Sequence, residues 1–173
     1  MESKVIQEIV TQIIQQYRLP LDSLHGPAHW ARVYENGRCL AERTGAREDV
    51  VTLFALFHDA CRRADGMDFG HGRRGARLAD SFCGLYFDLD PAGLDTLMEA
   101  CANHTAGWIR ADITVQTCWD ADRLDLGRAG ILPRPGLLCT QAARDPHVIE
   151  WANARSTAQV TPALLETEWG LSI

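Results

Sequence analysis

The sequence is short of lysine and of positive charge. Lys4 is the only lysine among 173 residues, and 23 acidic residues outnumber the 17 basic ones, so the formal net charge is -6. A chain this acidic lacks the basic footprint of a general nucleic-acid binder or a membrane-surface binder. All the other basic residues are arginines. Arginine suits phosphate binding, but codon usage explains such a bias as simply.

Long hydrophobic runs are also missing. No apolar stretch approaches the roughly 20 residues that a membrane span needs. The first residues show no basic stretch followed by an apolar one, as a secretory signal would. We therefore expect a cytoplasmic protein without a nucleic-acid or membrane partner.

The six cysteines form no Cys-x-x-Cys pair. Their even number permits a disulfide framework. However, a chain of this length buries roughly 70% of its unfolded surface and needs no covalent staples. Because no secretory signal is expected either, we predict buried, reduced thiols.

Apolar residues recur at helical spacing almost throughout, which predicts an all-α fold. Pro27 suits a helix start and Gly45 a helix end, and Asp90-Pro91 reads as an N-cap followed by the first helical residue. No hairpin signal and no linker occurs, so we expect a single domain over residues 1–173. The predicted helices cover residues 5–17, 27–44, 50–57, 71–82, 91–104, 113–126, 145–155 and 160–173.

The dipeptide His58-Asp59 follows a nearly continuous apolar helix. If both side chains are buried, a partner must offset their desolvation, and a divalent metal ion is such a partner. Adjacent helical residues point about 100° apart, so both can reach one ion only near the helix end. His29 and an aspartate of the Asp120-Ala121-Asp122 segment are the obvious further ligands.

These residues resemble the HD-domain metal-dependent phosphohydrolases. The family order is a His, then His-Asp, then an Asp, on separate helices of an all-α bundle. His29 matches the first position through His-x-x-Arg-Val, His58 and Asp59 match the doublet, and Asp122 matches the last position through Ala-Asp-Arg-Leu. The resemblance covers about residues 22–130 and implies that these four side chains bind one metal ion.

Other features of the resemblance are auxiliary. The His71-Gly72-x-x-Gly75-Ala76 stretch and His104 are similar to motifs of small bacterial members, some of which bind two metals. His71 and His104 are therefore candidates for a second metal or for the substrate, beside a site for one ion. Residues 131–173 carry no resemblance, and we expect them to pack on the motif core as a helical or irregular extension. Its Pro-rich beginning is expected to shape a substrate pocket.

Several charged residues lie next to the motifs. We expect Asp120 to support a metal ligand from behind, and Asp125 to face solvent. A phosphate substrate needs cationic donors, and the forked guanidinium suits it. The candidates are Arg62, Arg63 and Arg123.

These expectations combine into a hydrolase of phosphate esters or anhydrides that acts on a nucleotide or another small phosphorylated metabolite. A divalent metal would supply hydroxide near neutral pH, with Asp59 as a ligand and the catalytic carboxylate. Histidine and carboxylate donors favour Mn, Fe, Co, Ni or Zn. The alternatives are a non-catalytic metal-binding or nucleotide-binding module, and a di-iron oxygenase that needs His71 and His104 as ligands. The oligomeric state stays open, a homodimer included.

Overall fold

The computed structural model describes residues 1–173 and contains helices but no sheet, which confirms the all-α prediction. Two short 3-10 helices, Leu126–Ala129 and Pro135–Leu137, connect the longer elements. The α-helices are α1 (Ser3–Ile14), α2 (Pro27–Thr44), α3 (Glu48–Phe57), α4 (His71–Phe82), α5 (Pro91–Asn103), α6 (Ile113–Arg123), α7 (Pro146–Thr157) and α8 (Leu164–Thr167). No helix combines the length and apolar character needed to cross a membrane.

Helix α3 lies at the centre of the bundle. Every residue from Val50 to Phe57 is buried, and the helix packs against α2, α4, α5 and α6. An apolar helix with no polar face is stable only when other elements cover all its sides. The doublet at its end, His58 and Asp59, is therefore carried into the interior, where the two residues are 0% and 1% exposed.

The predicted helix ends are confirmed where capping chemistry is strong. Pro27 is the first residue of α2, and Gly45 ends that helix in the left-handed conformation at φ 71°. A side-chain oxygen of Asp90 accepts a hydrogen bond from the Gly93 amide at the start of α5. Each device satisfies or terminates the helix backbone locally, so it can be read without knowledge of the tertiary structure.

The prediction of a terminal helix over residues 160–173 is wrong for most of its length. Only Leu164–Thr167 are helical, because Pro162 precedes this turn and Gly170 reverses the chain at φ 65°. Trp169 is nevertheless buried and meets the Tyr34 ring of α2 edge-on, with 5.9 Å between ring centroids. Apolar residues of the 131–173 segment belong to the same core cluster as those of the motif helices.

The six cysteines are free thiols, as predicted. Their expected burial is confirmed only for Cys101 and Cys118, and the other four are half-buried. None of the cysteines contributes to the grouped histidine and carboxylate side chains described below.

Two glycines allow α4 to approach its neighbours closely. A Cβ atom on Gly75 would lie 2.2 Å from the carbonyl oxygen of Phe57, at the end of α3. A Cβ atom on Gly72 would lie 2.2 Å from the carbonyl oxygen of Cys101 and 2.9 Å from Nδ1 of His104. The His-Gly-x-x-Gly stretch therefore places the first turn of α4 directly against the ends of α3 and α5.

We predict that Gly75→Ala destabilises the protein by about 1–3 kcal/mol, because the added methyl group must push α4 away from the rigid backbone of α3. Urea unfolding monitored by circular dichroism measures this change. Gly66→Ala is the matched control, since nothing lies within 4 Å of its added Cβ atom. An unchanged unfolding midpoint for Gly75→Ala would show that the helices have room to spare.

Candidate metal centre

Six buried or nearly buried side chains from five helices and their ends meet at one place in the bundle. His29 lies on α2, His58 and Asp59 follow α3, and His71 begins α4. His104 follows α5 and Asp122 lies on α6. The structure therefore brings together the four ligands that the resemblance implied and the two auxiliary histidines.

The first group of donors surrounds His29 and His58. Their Nε2 atoms lie 3.0 Å apart. Oδ2 of Asp59 lies 3.6 Å from Nε2 of His29, and Oδ1 of Asp122 lies 3.5 Å from the same nitrogen. That Asp122 oxygen is buried and has no hydrogen-bond partner. A buried oxygen without a donor is costly unless a cation meets it, so these residues fit a metal ion.

The second group uses the other oxygen of Asp59. Oδ1 of Asp59 lies 3.2 Å from Nε2 of His71 and 3.6 Å from Nε2 of His104. The two histidine Nε2 atoms lie 3.0 Å apart. Asp59 therefore belongs to two sets of potential ligands. The structure offers donors for two ions, whereas the resemblance led us to expect a site for one.

All four histidines are oriented in the same way: each Nδ1 lies within hydrogen-bond distance of an oxygen behind the ring. These oxygens are the carbonyls of Phe54, Asp68 and Cys101 and a carboxylate oxygen of Asp125. Because such oxygens accept hydrogen bonds, each Nδ1 donates. In the neutral ring the lone pair is then left on Nε2, which faces the shared space. Within each pair of histidines the two Nε2 atoms lie 3.0 Å apart, so their lone pairs repel each other unless a cation or a proton lies between them.

Asp125 is the most important residue that the sequence analysis missed. We expected Asp125 to face solvent, but this residue is buried and only 1% exposed. Oδ2 accepts from Nδ1 of His29 at 2.7 Å, and Arg32 donates to both carboxylate oxygens at 2.7 and 3.0 Å. Arg32 follows His29 by one helical turn, so both reach one carboxylate. The spacing His-x-x-Arg was the signal that could have revealed this partner.

Asp120 does not support a metal ligand, and that prediction is wrong. Its carboxylate accepts from the backbone amides of Cys139 and Thr140 at 2.7 and 2.8 Å, and from the Thr140 hydroxyl at 2.9 Å. Asp120 therefore fixes the segment that follows the second 3-10 helix. On α6 the two aspartates at positions 120 and 122 point in different directions, as their spacing requires.

The predicted phosphate-binding arginines separate into three cases. Nη1 of Arg62 lies 3.2 Å from Nε2 of His71 and 3.5 Å from Oδ1 of Asp59, which places it at the centre. Arg123 instead donates to the carbonyl oxygens of Trp108 and Leu137 and ties two loops together. Arg63 is exposed and has no ion pair at the centre.

Arg128 is a second cation at the centre, and it was not predicted. Its Nη2 lies 3.7 Å from Oδ1 of Asp122. Other nitrogens of the same side chain donate to the carbonyl oxygens of Leu24 and Asp125. Arg62 therefore lies beside the carboxylate of Asp59, and Arg128 lies beside that of Asp122.

The surroundings set the protonation states that a metal ion needs. Burial lowers the pKa of His58 to about 3 and also lowers that of His29, so both rings are neutral at pH 7. Burial alone would raise the pKa of Asp122, but the charges of His58 and Arg128 outweigh it and bring the pKa to about 2. For Asp59, neighbouring histidines likewise outweigh burial and hold the pKa well below its usual value.

His104 behaves differently from His29 and His58. Burial opposes its charged form, but the hydrogen bond and the charge of Asp59 outweigh burial and raise the pKa of His104 above its usual value. In the absence of a metal ion, a proton on His104 would thus share the space between Asp59 and His71. Below the pKa of His104, a cation that enters the second group would displace a proton, whereas the first group is already deprotonated at pH 7.

Comparison with known proteins agrees with this geometry. The family model "HD domain" matches residues 28–127. A crystal structure described as a predicted HD superfamily hydrolase, from an uncultured Thermotogales bacterium, is similar with a TM-score of 0.63 and 26% sequence identity. The match covers 88% of this chain and 86% of that chain. No curated protein matches the sequence.

We predict that Asp125→Asn weakens metal binding by about 10–100-fold, because an amide no longer fixes the tautomer of His29 as a carboxylate does. Competition titration of Mn²⁺ with a chelating dye measures the dissociation constant. Asp95→Asn removes an exposed carboxylate on α5 and should bind Mn²⁺ like the parent protein. Equal affinities in the two variants would contradict the positioning role of Asp125.

We also predict that the two groups differ in pH dependence. Binding at the His71–His104 group should release one proton, so its affinity falls by about tenfold per pH unit below the raised pKa of His104. Binding at the His29–His58 group should release almost no proton near pH 7, since the pKa values of both histidines are lowered below their usual value. Calorimetric titration of Mn²⁺ in buffers of different ionisation enthalpy counts the protons.

His104→Gln provides the control for this measurement. It should remove the proton-releasing phase and leave the other one. Proton release that persists unchanged in this variant would show that another group titrates.

Proposed function

The chain belongs to the HD-domain family, and from that premise we propose that it is a metal-dependent phosphohydrolase. Its substrate would be a phosphate ester or anhydride of a nucleotide or another small phosphorylated metabolite. The observation that supports this proposal most directly is the shared carboxylate of Asp59, whose two oxygens each face a separate pair of histidines.

The donor set indicates the class of cofactor. Imidazole nitrogens and carboxylate oxygens without thiolates suit divalent Mn, Fe, Co, Ni or Zn. When bound, such ions lower the pKa of a coordinated water, so that hydroxide is available near neutral pH. In this proposal His29, His58, Asp59 and Asp122 hold one ion, and Asp59, His71 and His104 hold a second.

Two guanidinium groups are placed to orient a phosphoryl group. Arg62 lies beside Asp59 and His71, and Arg128 lies beside Asp122. Forked hydrogen bonds from arginine fit tetrahedral phosphate oxygens and stabilise the charge that develops on them. Both arginines are also fixed by backbone carbonyl oxygens, so little rearrangement is needed when substrate binds. Asp59 is the proposed catalytic carboxylate, since it alone among the carboxylates faces both groups of donors.

An apolar cavity at the end of α6 supports a substrate with an organic part. Its volume is about 280 Å³. Its lining includes the apolar side chains of Leu126, Ile131, Leu132 and Leu137, and the guanidinium group of Arg123. These residues follow Asp122 in the chain and include the Pro-rich segment. We propose that this cavity holds the non-phosphate part of the substrate, as expected for that segment.

One alternative is favoured by a specific observation. Because His71 and His104 lie with Asp59 in a second donor group, a di-iron oxygenase is also compatible with the geometry. The two activities differ in co-substrate and product: an oxygenase consumes O₂, whereas a phosphohydrolase consumes water and releases phosphate from a phosphomonoester. A non-catalytic module has no such observation in its favour, since every ligand position of the family pattern is filled.

We predict that the Mn²⁺-loaded protein releases phosphate from at least one compound in a panel of nucleotides and sugar phosphates. His58→Ala and Asp122→Ala should reduce the rate by about 100-fold or more, because each removes a metal ligand. His147→Ala, which removes an exposed histidine, should leave the rate unchanged. The measurement is phosphate release with and without O₂, together with elemental analysis of bound metal.

The outcomes separate the three functions. O₂-independent phosphate release supports the phosphohydrolase. Turnover that requires O₂ and iron supports the oxygenase. Bound metal without turnover of any phosphorylated compound supports the binding module.

A further inference from the structure

A second cavity lies next to the metal centre but is lined by none of the six metal-site side chains. Its volume is about 140 Å³, and it lies beside the end of α1. Four of its lining residues are the arginines Arg18, Arg62, Arg63 and Arg74, and none is acidic. The protein as a whole carries an excess of acidic residues, so the chain concentrates positive charge here against its overall composition.

Two of these four charges are compensated and two are not. Arg74 donates two hydrogen bonds of 2.7 Å to the carboxylate of Asp68, and Arg62 lies 3.5 Å from Asp59. Arg18 and Arg63 are exposed and take part in no ion pair. The cavity therefore has an uncompensated charge of about +2, carried by side chains that are free to turn toward a ligand.

From this arrangement we propose that the cavity binds a dianionic phosphate group through Arg18 and Arg63, at a site that adjoins the metal centre and shares only Arg62 with it. The charge of a phosphate monoester or of inorganic phosphate matches the two free guanidiniums. Their forked donors suit its tetrahedral oxygens. A concave wall with several like charges also raises the local concentration of an anion.

The cavity shares part of its wall with the metal centre. Ala60, Cys61 and Arg62 line it, and they follow Asp59 directly. The turn that they form is closed by a 3.1 Å hydrogen bond from the Arg62 amide to the Asp59 carbonyl oxygen. An anion in this cavity would thus contact the same short segment that positions the shared carboxylate. The proposal does not depend on hydrolysis, because a protein without turnover would retain this site.

Cys61 provides a reporter within the cavity. Its thiol is half-buried and lines the wall. The experiment measures alkylation of each cysteine by iodoacetamide in the metal-loaded full chain, with peptides quantified by mass spectrometry. Inorganic phosphate, a phosphate monoester such as glycerol phosphate, and sodium chloride at equal ionic strength are compared.

We expect phosphate at ten times its dissociation constant to slow Cys61 alkylation by about tenfold, since only the unoccupied fraction reacts. Chloride should have little effect. Cys39 and Cys83, which are also half-buried but lie outside the cavity, should react at unchanged rates. Protection by inorganic phosphate identifies the free ion as a ligand, whereas protection by the monoester alone identifies a phosphorylated metabolite.

Charge-neutralising variants separate this cavity from the metal centre. Arg18→Gln, alone and with Arg63→Gln, should abolish the protection of Cys61. Arg77→Gln, an exposed arginine of α4 outside the cavity, should preserve it. Protection that survives in the double variant would overturn the proposal, because phosphate would then act from the metal centre. The absence of any protection in the parent protein would overturn it as well.

The test is independent of the proposed function. Arg18 contacts no metal-site residue, so phosphate release by Arg18→Gln should equal that of the parent protein. Loss of Cys61 protection with unchanged phosphate release supports the separate site. A phosphohydrolase that shows no Cys61 protection overturns this inference and leaves the proposed function in place.

Discussion

The structure depends on four histidine Nε2 atoms that are forced to face one another. Each ring is fixed from behind by an oxygen that accepts from Nδ1, so its free lone pair points into the space shared with Asp59 and Asp122. In a packed interior such an arrangement is unfavourable unless positive charge occupies the space. The lowered pKa values of His29 and His58 favour their neutral rings, whereas the raised pKa of His104 favours its protonated ring. The two groups of potential ligands therefore differ in their affinity for protons.

The end of α3 resolves a geometric difficulty of the doublet. Neighbouring residues within a helix diverge by about 100°, so both could not face one ion from the middle of a helix. In the structure α3 ends at Phe57 and His58 is the residue that follows it. Asp59 already belongs to the following turn, which is closed by the hydrogen bond of Arg62 to its carbonyl oxygen. The apolar helix buries the doublet. Because the helix ends before His58, the side chains of His58 and Asp59 can both face the same group of donors.

The sequence predicted features whose causes are local, together with those implied by the family resemblance. Helix periodicity and the capping residues Pro27, Gly45 and Asp90 predicted the bundle, since they act within one or two turns. The convergence of His29 and Asp122 on the doublet came from the resemblance. The environments of Asp120 and Asp125 were predicted wrongly, because they depend on which neighbours cover α6 and the turn that follows it. The neighbour comes from α2 for Asp125 and from the segment around residue 140 for Asp120. The spacing of apolar residues along the sequence does not predict which elements pack against these two aspartates.

The distribution of buried charge connects the centre with its proposed substrate. Arg32, Arg62 and Arg128 offset the charges of Asp59, Asp122 and Asp125, so the charges of these six residues sum to zero. Each of the three arginines also makes hydrogen bonds to backbone carbonyl oxygens. The compact ammonium group of lysine could not reproduce this forked pattern, so codon usage does not account for these three positions. Two divalent ions would then add four uncompensated positive charges to this buried site. A neutral substrate would leave that charge in place, whereas a phosphate dianion together with hydroxide offsets most of it. If the centre holds two divalent ions, as proposed, a doubly charged anion therefore fits the charge that these ions add.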